Sequence, residues 1–356
     1  YNSRKCHDWR RNKNYFINNF YGLNNMKNIK KIKVAFIYKG SNEFLTGNHF
    51  DNTTYDFFMK ALPRNNYLDV SYFNAEKSFD TTKLKDKYDV ILLSDNHSYG
   101  TPDELQGISN LTTPVISRVG DPHDAERKQK IPFHEKYKID YYFNFMHESY
   151  FYKFYPKDFK YKTIIFGLEP KLNQNIRNFK DRIKDRILNS GAVGKSTIKS
   201  RVANRILNPK RSSWYFYKLR TLCNNLSYVD HTGMVGNKYI DDTYSSLLSR
   251  YRASIASTTF YPTIKYWEIP AAGCMTFMEI TDKNKGVYLG YEDNKTAIII
   301  NEKNYKSKFE LFLSDPDNPK WEKIANAGRK FTMEELNNDK AVESLVDLMN
   351  EVVNKK

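Results

Sequence analysis

The sequence predicts an α/β protein built as two alternating halves, each around a mostly parallel sheet. Three observations carry this. Short apolar runs alternate with helical-period segments along most of the chain. A length of 356 residues suits two domains. Gly167-Leu168-Glu169-Pro170, followed by the polar stretch Lys171 to Asn178, breaks the alternation at mid-chain and reads as a hinge.

Taken in order, Val34 to Tyr38 is a buried-type strand running into Lys39-Gly40-Ser41. Thr53 to Leu62 has apolar residues at helical spacing and stops at Pro63, and Leu68 to Phe73 alternates as a strand, which completes a β-α-β unit. Val90 to Leu93 is the next strand, Thr101-Pro102-Asp103-Glu104 reads as a helix start, and strands are expected at Pro114 to Val119, Tyr141 to Phe145 and Thr163 to Phe166. In the second half, strands are expected at Arg186 to Asn189, Leu226 to Val229, Ala253 to Ser257, Met275 to Glu279 and Ala297 to Ile300. Helices fill the gaps at Thr197 to Leu207, Ser212 to Cys223, Thr243 to Tyr251, Ile264 to Ala272 and Tyr305 to Leu313, with two or three more from Pro319 onward. The expected divisions are a basic extension over 1–30, a first domain over 31–168, a second over 169–335, and a C-terminal helix over 336–356 that packs back on the first.

Composition excludes several classes. No stretch approaches the roughly 18 to 20 apolar residues of a membrane-spanning helix, and mean hydropathy is −0.72. With 27 Tyr and 23 Phe the chain is expected to be globular rather than disordered. Cys6, Cys223 and Cys274 are too few and too scattered for a disulfide framework or a zinc cluster, so a reducing, cytoplasmic compartment is expected. The net charge of +16 calls for an anionic partner. From Tyr1 to Lys33 there are nine Lys or Arg against one acid, Asp8, and no apolar signal region accompanies them. That arm is either a solvated extension or an anchor to an anionic membrane.

Gly191-Ala192-Val193-Gly194-Lys195-Ser196 looks like a phosphate loop but fails its spacing, since Asn189 stands where the earlier glycine must be. Asp121-Pro122-His123-Asp124 follows a strand, where parallel sheets bind ligands; it is a turn, an acid/base cluster or, less in keeping with the scattered histidines, a metal group. His231-Thr232-Gly233 also follows a strand. The most specific stretch is Tyr261 to Cys274. A helix starting near Thr263 would aim its amides at an anion, with Lys265 adding charge. Glu268, one turn along, could accept both hydroxyls of a ribose.

Lys265-Tyr266-Trp267-Glu268-Ile269-Pro270-Ala271-Ala272-Gly273 resembles the donor-binding signature of nucleotide-sugar glycosyltransferases of the GT-B fold, of the group 1 and CgeB-like kind. Ser190-Gly191-Ala192 with Arg201 ten residues after Gly191, the His231 loop, and Arg252 to Ser257 extend the resemblance over about residues 186 to 330. Gly120-Asp121-Pro122-His123 carries it more loosely into the first half. The resemblance implies two Rossmann-like domains facing across a cleft and a nucleoside-diphosphate sugar as donor substrate, with no resident cofactor or metal. Glu268 would then sit at the donor ribose, Lys265 and Arg201 at the diphosphate, and Thr263, Gly191 and His231 near the donor. If the reaction inverts, Asp121 or His123 would be the base. The acceptor would be a glycan or a lipid-linked or cell-envelope molecule, and no nucleic-acid partner is expected. Phe260 departs from the pattern, because a paired-acid enzyme has Glu there. A glycan-binding GT-B protein without catalysis, and a basic nucleic-acid-binding protein, are the competing readings.

Overall fold

The computed structural model describes residues 30–49, 51–126, 130–194, 197–207, 213–232 and 242–355. The basic extension, Lys195, Ser196 and Gly233 lie outside them. The chain from Ile32 to Lys356 forms one compact unit.

Six parallel strands make the first sheet, in the order β2-β1-β4-β6-β7-β8. They are β1 (Ile32–Tyr38), β2 (Leu68–Asn74), β4 (Val90–Leu93), β6 (Val115–Arg118), β7 (Tyr141–Asn144) and β8 (Tyr161–Thr163). Val34 to Ile37 and Val90 to Leu93 are fully buried, which is why these central strands read as unbroken apolar runs. The strand expected at Thr163 to Phe166 lies earlier; Ile164 and Phe166 pack in the core after the ladder has ended.

The helix start expected at Thr101 to Glu104 is corrected. Glu104–Gln106 (β5) is a strand that pairs with Ser78–Asp80 (β3). Thr101 donates its hydroxyl to the Asp95 carbonyl instead of capping a helix, and Gly107 turns at φ 75°, leaving no length for one. The segment 53–64 is helical, with a π-type stretch at Asp56–Ala61; the stop expected at Pro63 comes one residue later, because Pro63 falls in the first turn of a closing 3-10 helix, Leu62–Arg64, where its missing N–H is not needed.

The second sheet runs β10-β9-β11-β12-β13, all parallel: β9 (Ile183–Asn189), β10 (Val229–His231), β11 (Tyr251–Ala256), β12 (Met275–Glu279) and β13 (Ile298–Ile300). The strand expected from Leu226 starts three residues later, because Leu226 and Val229 still close turns on Cys223 and Leu226. The helix expected over Ser212 to Cys223 divides into Ser213–Phe216 and Lys218–Cys223, with Tyr217 between them at φ −111°, ψ 29°. The helix expected over Thr243 to Tyr251 ends at Leu248, and Tyr251 opens β11.

The chain passes between the sheets twice. Residues 164–182 lead from the first to the second. The helix Pro319–Glu335 packs on the second core through Trp321, Ile324 and Ala325. After it, the helix Asn338–Asn354 buries Ala341, Val342, Leu345, Leu348 and Met349 in the first core, against Phe57 and Phe58. The two passages meet. Asn338 accepts from Gly167 N at 2.7 Å and donates its own N–H to the Leu168 carbonyl at 2.8 Å. Arg64 forks onto Glu169 at 3.0 Å and reaches Asp339 at 2.6 Å. A Cβ on Gly167 (φ 110°) would overlap Thr53, so only glycine fits this junction.

Candidate functional site

Both sheets change strand order at a crevice, and an open parallel sheet takes its ligands there, beyond the carboxyl ends of its strands. In the first sheet the crevice lies between β1 and β4. In the second it lies between β9 and β11. A cavity of about 400 Å³ is lined from both sides. Asp51, Asn52, Thr53 and Asp56 come from the segment after β1, and Gly191 and Ala192 from the turn after β9. Thr263, Ile264, Lys265 and Glu268 follow β11, and Tyr217, Arg220, Tyr244 and Ser245 complete the second half's wall.

The helix Lys265–Ala271 sets the two most specific residues one turn apart on the cavity side. Lys265 Nζ donates to the Tyr244 hydroxyl at 2.6 Å, and that hydroxyl lies 2.9 Å from Ser190 Oγ. Gly191 adopts φ 89°, and a Cβ there would stand 2.8 Å from Lys265 Cε. The glycine is favoured by its backbone, and a side chain there would displace the end of Lys265. Glu268 Oε2 is buried with no hydrogen-bond partner. Burial, opposed by the Lys265 charge and reinforced by Asp51, pushes its carboxyl up to about 7.

Arg220 was not legible as a site residue, yet it is the second cation of this wall. It is 1% exposed, donates Nε to Asn189 Oδ1 at 3.0 Å and a terminal nitrogen to the Ser190 carbonyl. Burial lowers its pKa. Among the described residues no carboxylate pairs with Arg220 or with Lys265. A buried guanidinium held by neutral oxygens sets a positive charge in this wall of the cavity, with the carboxyls of Asp51 and Glu268 also lining it. An arginine between Leu219 and the Leu222-Cys223 pair of a mostly apolar segment was the available signal.

The structure brings Glu268, Lys265, Thr263 and Gly191 together; the other sequence candidates stand elsewhere. Arg201 does not line the cavity, because its guanidinium stacks 3.6 Å from the Trp214 ring centre. His231 is exposed and donates from Nε2 to the Gly191 carbonyl at 3.0 Å, so it braces the loop from outside the cavity. Asp121 and His123 do not line the cavity either. His123 Nδ1 lies 3.3 Å from the Tyr150 hydroxyl, and Tyr150 packs on Tyr261 with ring centres 4.6 Å apart. One aromatic layer thus separates that loop from the helix carrying Lys265. Asp121, His123 and Asp124 can each offer an atom within 4.8 Å of the others, the one such group among the described residues. Phe260 joins the same aromatic cluster, 6.1 Å from Phe216.

No family model matches this sequence, and no curated protein matches it. The structure is similar to Anabaena HepE solved with UDP and glucose (10% identity, 90% of this chain and 100% of that one, TM-score 0.51). It is similar to an alpha-glucosyltransferase solved with UDP-glucose and DNA containing an abasic site (9% identity, 90% and 100%, TM-score 0.53). Sucrose-phosphate synthase from Thermosynechococcus elongatus is a third (10% identity, 92% and 100%, TM-score 0.50). The fold is GT-B. In GT-B terms the cavity lies in the cleft between the two Rossmann-like halves. Because one neighbour was solved with DNA, the likeness gives no ground for excluding a nucleic-acid partner. No helix among the described residues is long and apolar enough to cross a membrane.

Proposed function

We propose that the chain is a glycosyltransferase that moves a sugar from a nucleoside-diphosphate sugar to a glycan, lipid-linked or cell-envelope acceptor. One observation carries the reading: a buried carboxylate oxygen without a hydrogen-bond partner and two cations that, among the described residues, form no ion pair share one cavity. A ribose diol matches the first and a diphosphate matches the second. Residues 31–168 would hold the acceptor and 169–335 the donor. The narrower kinship to group 1 and CgeB-like enzymes rests on the sequence resemblance over about residues 186 to 330, centred on 265–273.

In the reaction, an acceptor hydroxyl oxygen bonds to the anomeric carbon while the carbon–oxygen bond to phosphate breaks. The electron pair leaves on the nucleoside diphosphate. Lys265 and Arg220 stabilise that growing charge, so the reaction as proposed needs no metal. If the outcome is inverting, the hydroxyl's proton goes to a base of the first half, for which Asp51 faces the cavity while Asp121 and His123 stand behind Tyr150. Calorimetric titration of UDP, GDP and CMP, with their sugar conjugates, into the wild type and Glu268→Ala tests the proposal. Binding of one nucleotide family, lost in the variant, is expected; no binding by any of them refutes it.

A further inference from the structure

The helix Ile198–Leu207 turns three aliphatic residues outward. Ile198, Val202 and Ile206 are 75%, 53% and 73% exposed and recur every fourth residue, which makes one continuous aliphatic stripe. Aliphatic side chains on a surface helix of a water-bathed protein normally face its core, and here the core is reached from the other side. Arg201 stacks on Trp214, Gly194 sits against the Trp214 backbone, and its N–H donates to Thr221 Oγ1 at 2.8 Å. The helix is fastened to the body by its polar margin with its greasy margin turned away. Tyr215, next to Trp214, is a further exposed ring, at 40%.

The charge of the helix names the occupant. Its sequence holds three basic residues and no acid, in a chain of net charge +16, and with Arg201 engaged on Trp214, Lys199 is the cation shown exposed beside the stripe, one position from Ile198. A protein partner would need a groove complementary to the stripe and carboxylates beside it, whereas an anionic bilayer supplies hydrocarbon and negative headgroups together, in the two-layer arrangement that such a helix matches. We propose that the helix Ile198–Leu207 docks on the surface of an anionic membrane, with Ile198, Val202 and Ile206 entering the headgroup–acyl boundary and Lys199 lying among the headgroups. The surface begins seven residues after Gly191 of the cavity wall, so docking holds the cleft close to the bilayer. The inference does not depend on the catalytic reading, since it concerns a face outside the cavity.

Flotation of the full chain with vesicles of phosphatidylcholine alone, or of phosphatidylcholine with about one-third phosphatidylglycerol, tests it. The wild type is expected to float with the anionic vesicles. Ile198→Ser/Val202→Ser/Ile206→Ser is expected to lower the partition coefficient by about tenfold or more, because three aliphatic side chains no longer leave water. The three sites are exposed, so the variant should keep its fold and its nucleotide affinity, both measured alongside. Partitioning unchanged by the triple substitution overturns the proposal, whether binding persists through residues 1–33 or is absent in both proteins. Concentration-dependent self-association without vesicles that the substitution abolishes also overturns it, by making the stripe a contact between copies.

Discussion

Replacing Glu268 by Gln separates stability from binding in a way few other substitutions here would. The carboxyl is raised from 4.5 to about 7, mainly by burial. The folded protein therefore holds that proton more tightly than the unfolded chain. Its stability contribution is present at pH 4.5 and is lost as pH rises through 7. At about 1.36 kcal/mol for each pH unit, the gap amounts to roughly 3 kcal/mol above pH 7. Glu268→Gln removes the buried charge, so without ligand it should be more stable than the wild type at pH 8 by up to that amount, and no different at pH 4.5. With unfolding entropy of about 2.1 cal/mol/K per residue, this corresponds to a Tm increase of roughly 4 °C. The same variant should bind the nucleotide at least about tenfold more weakly at pH 8, since an amide cannot accept two hydroxyls as a carboxylate does. Wild-type affinity should itself strengthen as pH rises through about 7. Scanning calorimetry at both pH values, with and without nucleotide, measures all of this. A variant less stable at pH 8, or one that binds the nucleotide as the wild type does, would refute the reasoning.

Gly191→Ala should lower stability by about 1–2 kcal/mol, because alanine is strained at φ 89°, and weaken nucleotide binding by pushing on Lys265; normal binding in the titration would show that the lysine does not need that room. Arg220→Lys keeps the charge but loses the fork, so affinity for the bound nucleoside diphosphate should fall about tenfold while that for its nucleoside holds. Arg201→Ala should leave both affinities unchanged, and titration with the two ligands distinguishes the cases. If the reaction inverts, Asp51→Asn should cut the rate of donor-dependent transfer by about 100-fold or more and Asp121→Asn by far less; the reverse order, followed by nucleotide release, would return the base to the Asp121 loop.

The legible parts of the molecule were those where one residue's environment follows from its neighbours in sequence. Strands such as Met275–Glu279, buried on both faces, announce themselves as apolar runs, and the Lys265 and Glu268 pair shows as one helical turn. The strand at Glu104–Gln106 did not show, because its capping-type sequence is overridden by pairing with Ser78–Asp80, a contact across 26 residues. Arg220 was missed for the same kind of reason: its role depends on Asn189 and Ser190, which the fold brings from another element. Arg201 and His231 have the right chemistry at plausible spacing, but Trp214 and the Gly191 carbonyl engage them outside the cavity. Side-chain direction beyond one turn of helix is a tertiary property, and spacing alone does not carry it.

The junction at Gly167, Leu168, Glu169 and Asn338 fixes more than a connection. Because Asn338 grips the backbone on both sides of Leu168, and Arg64 holds Glu169 and Asp339 together, the outgoing and returning chain behave as two leaves pinned at one spot. Sliding or separating the halves would break several of these bonds at once. The halves also meet away from this pin, where Tyr288 donates to the Phe145 carbonyl at 2.6 Å and the Phe145–Trp267 and Tyr150–Tyr261 rings pack. Their relative placement is thus fixed at two places, and the walls of the cavity inherit that placement.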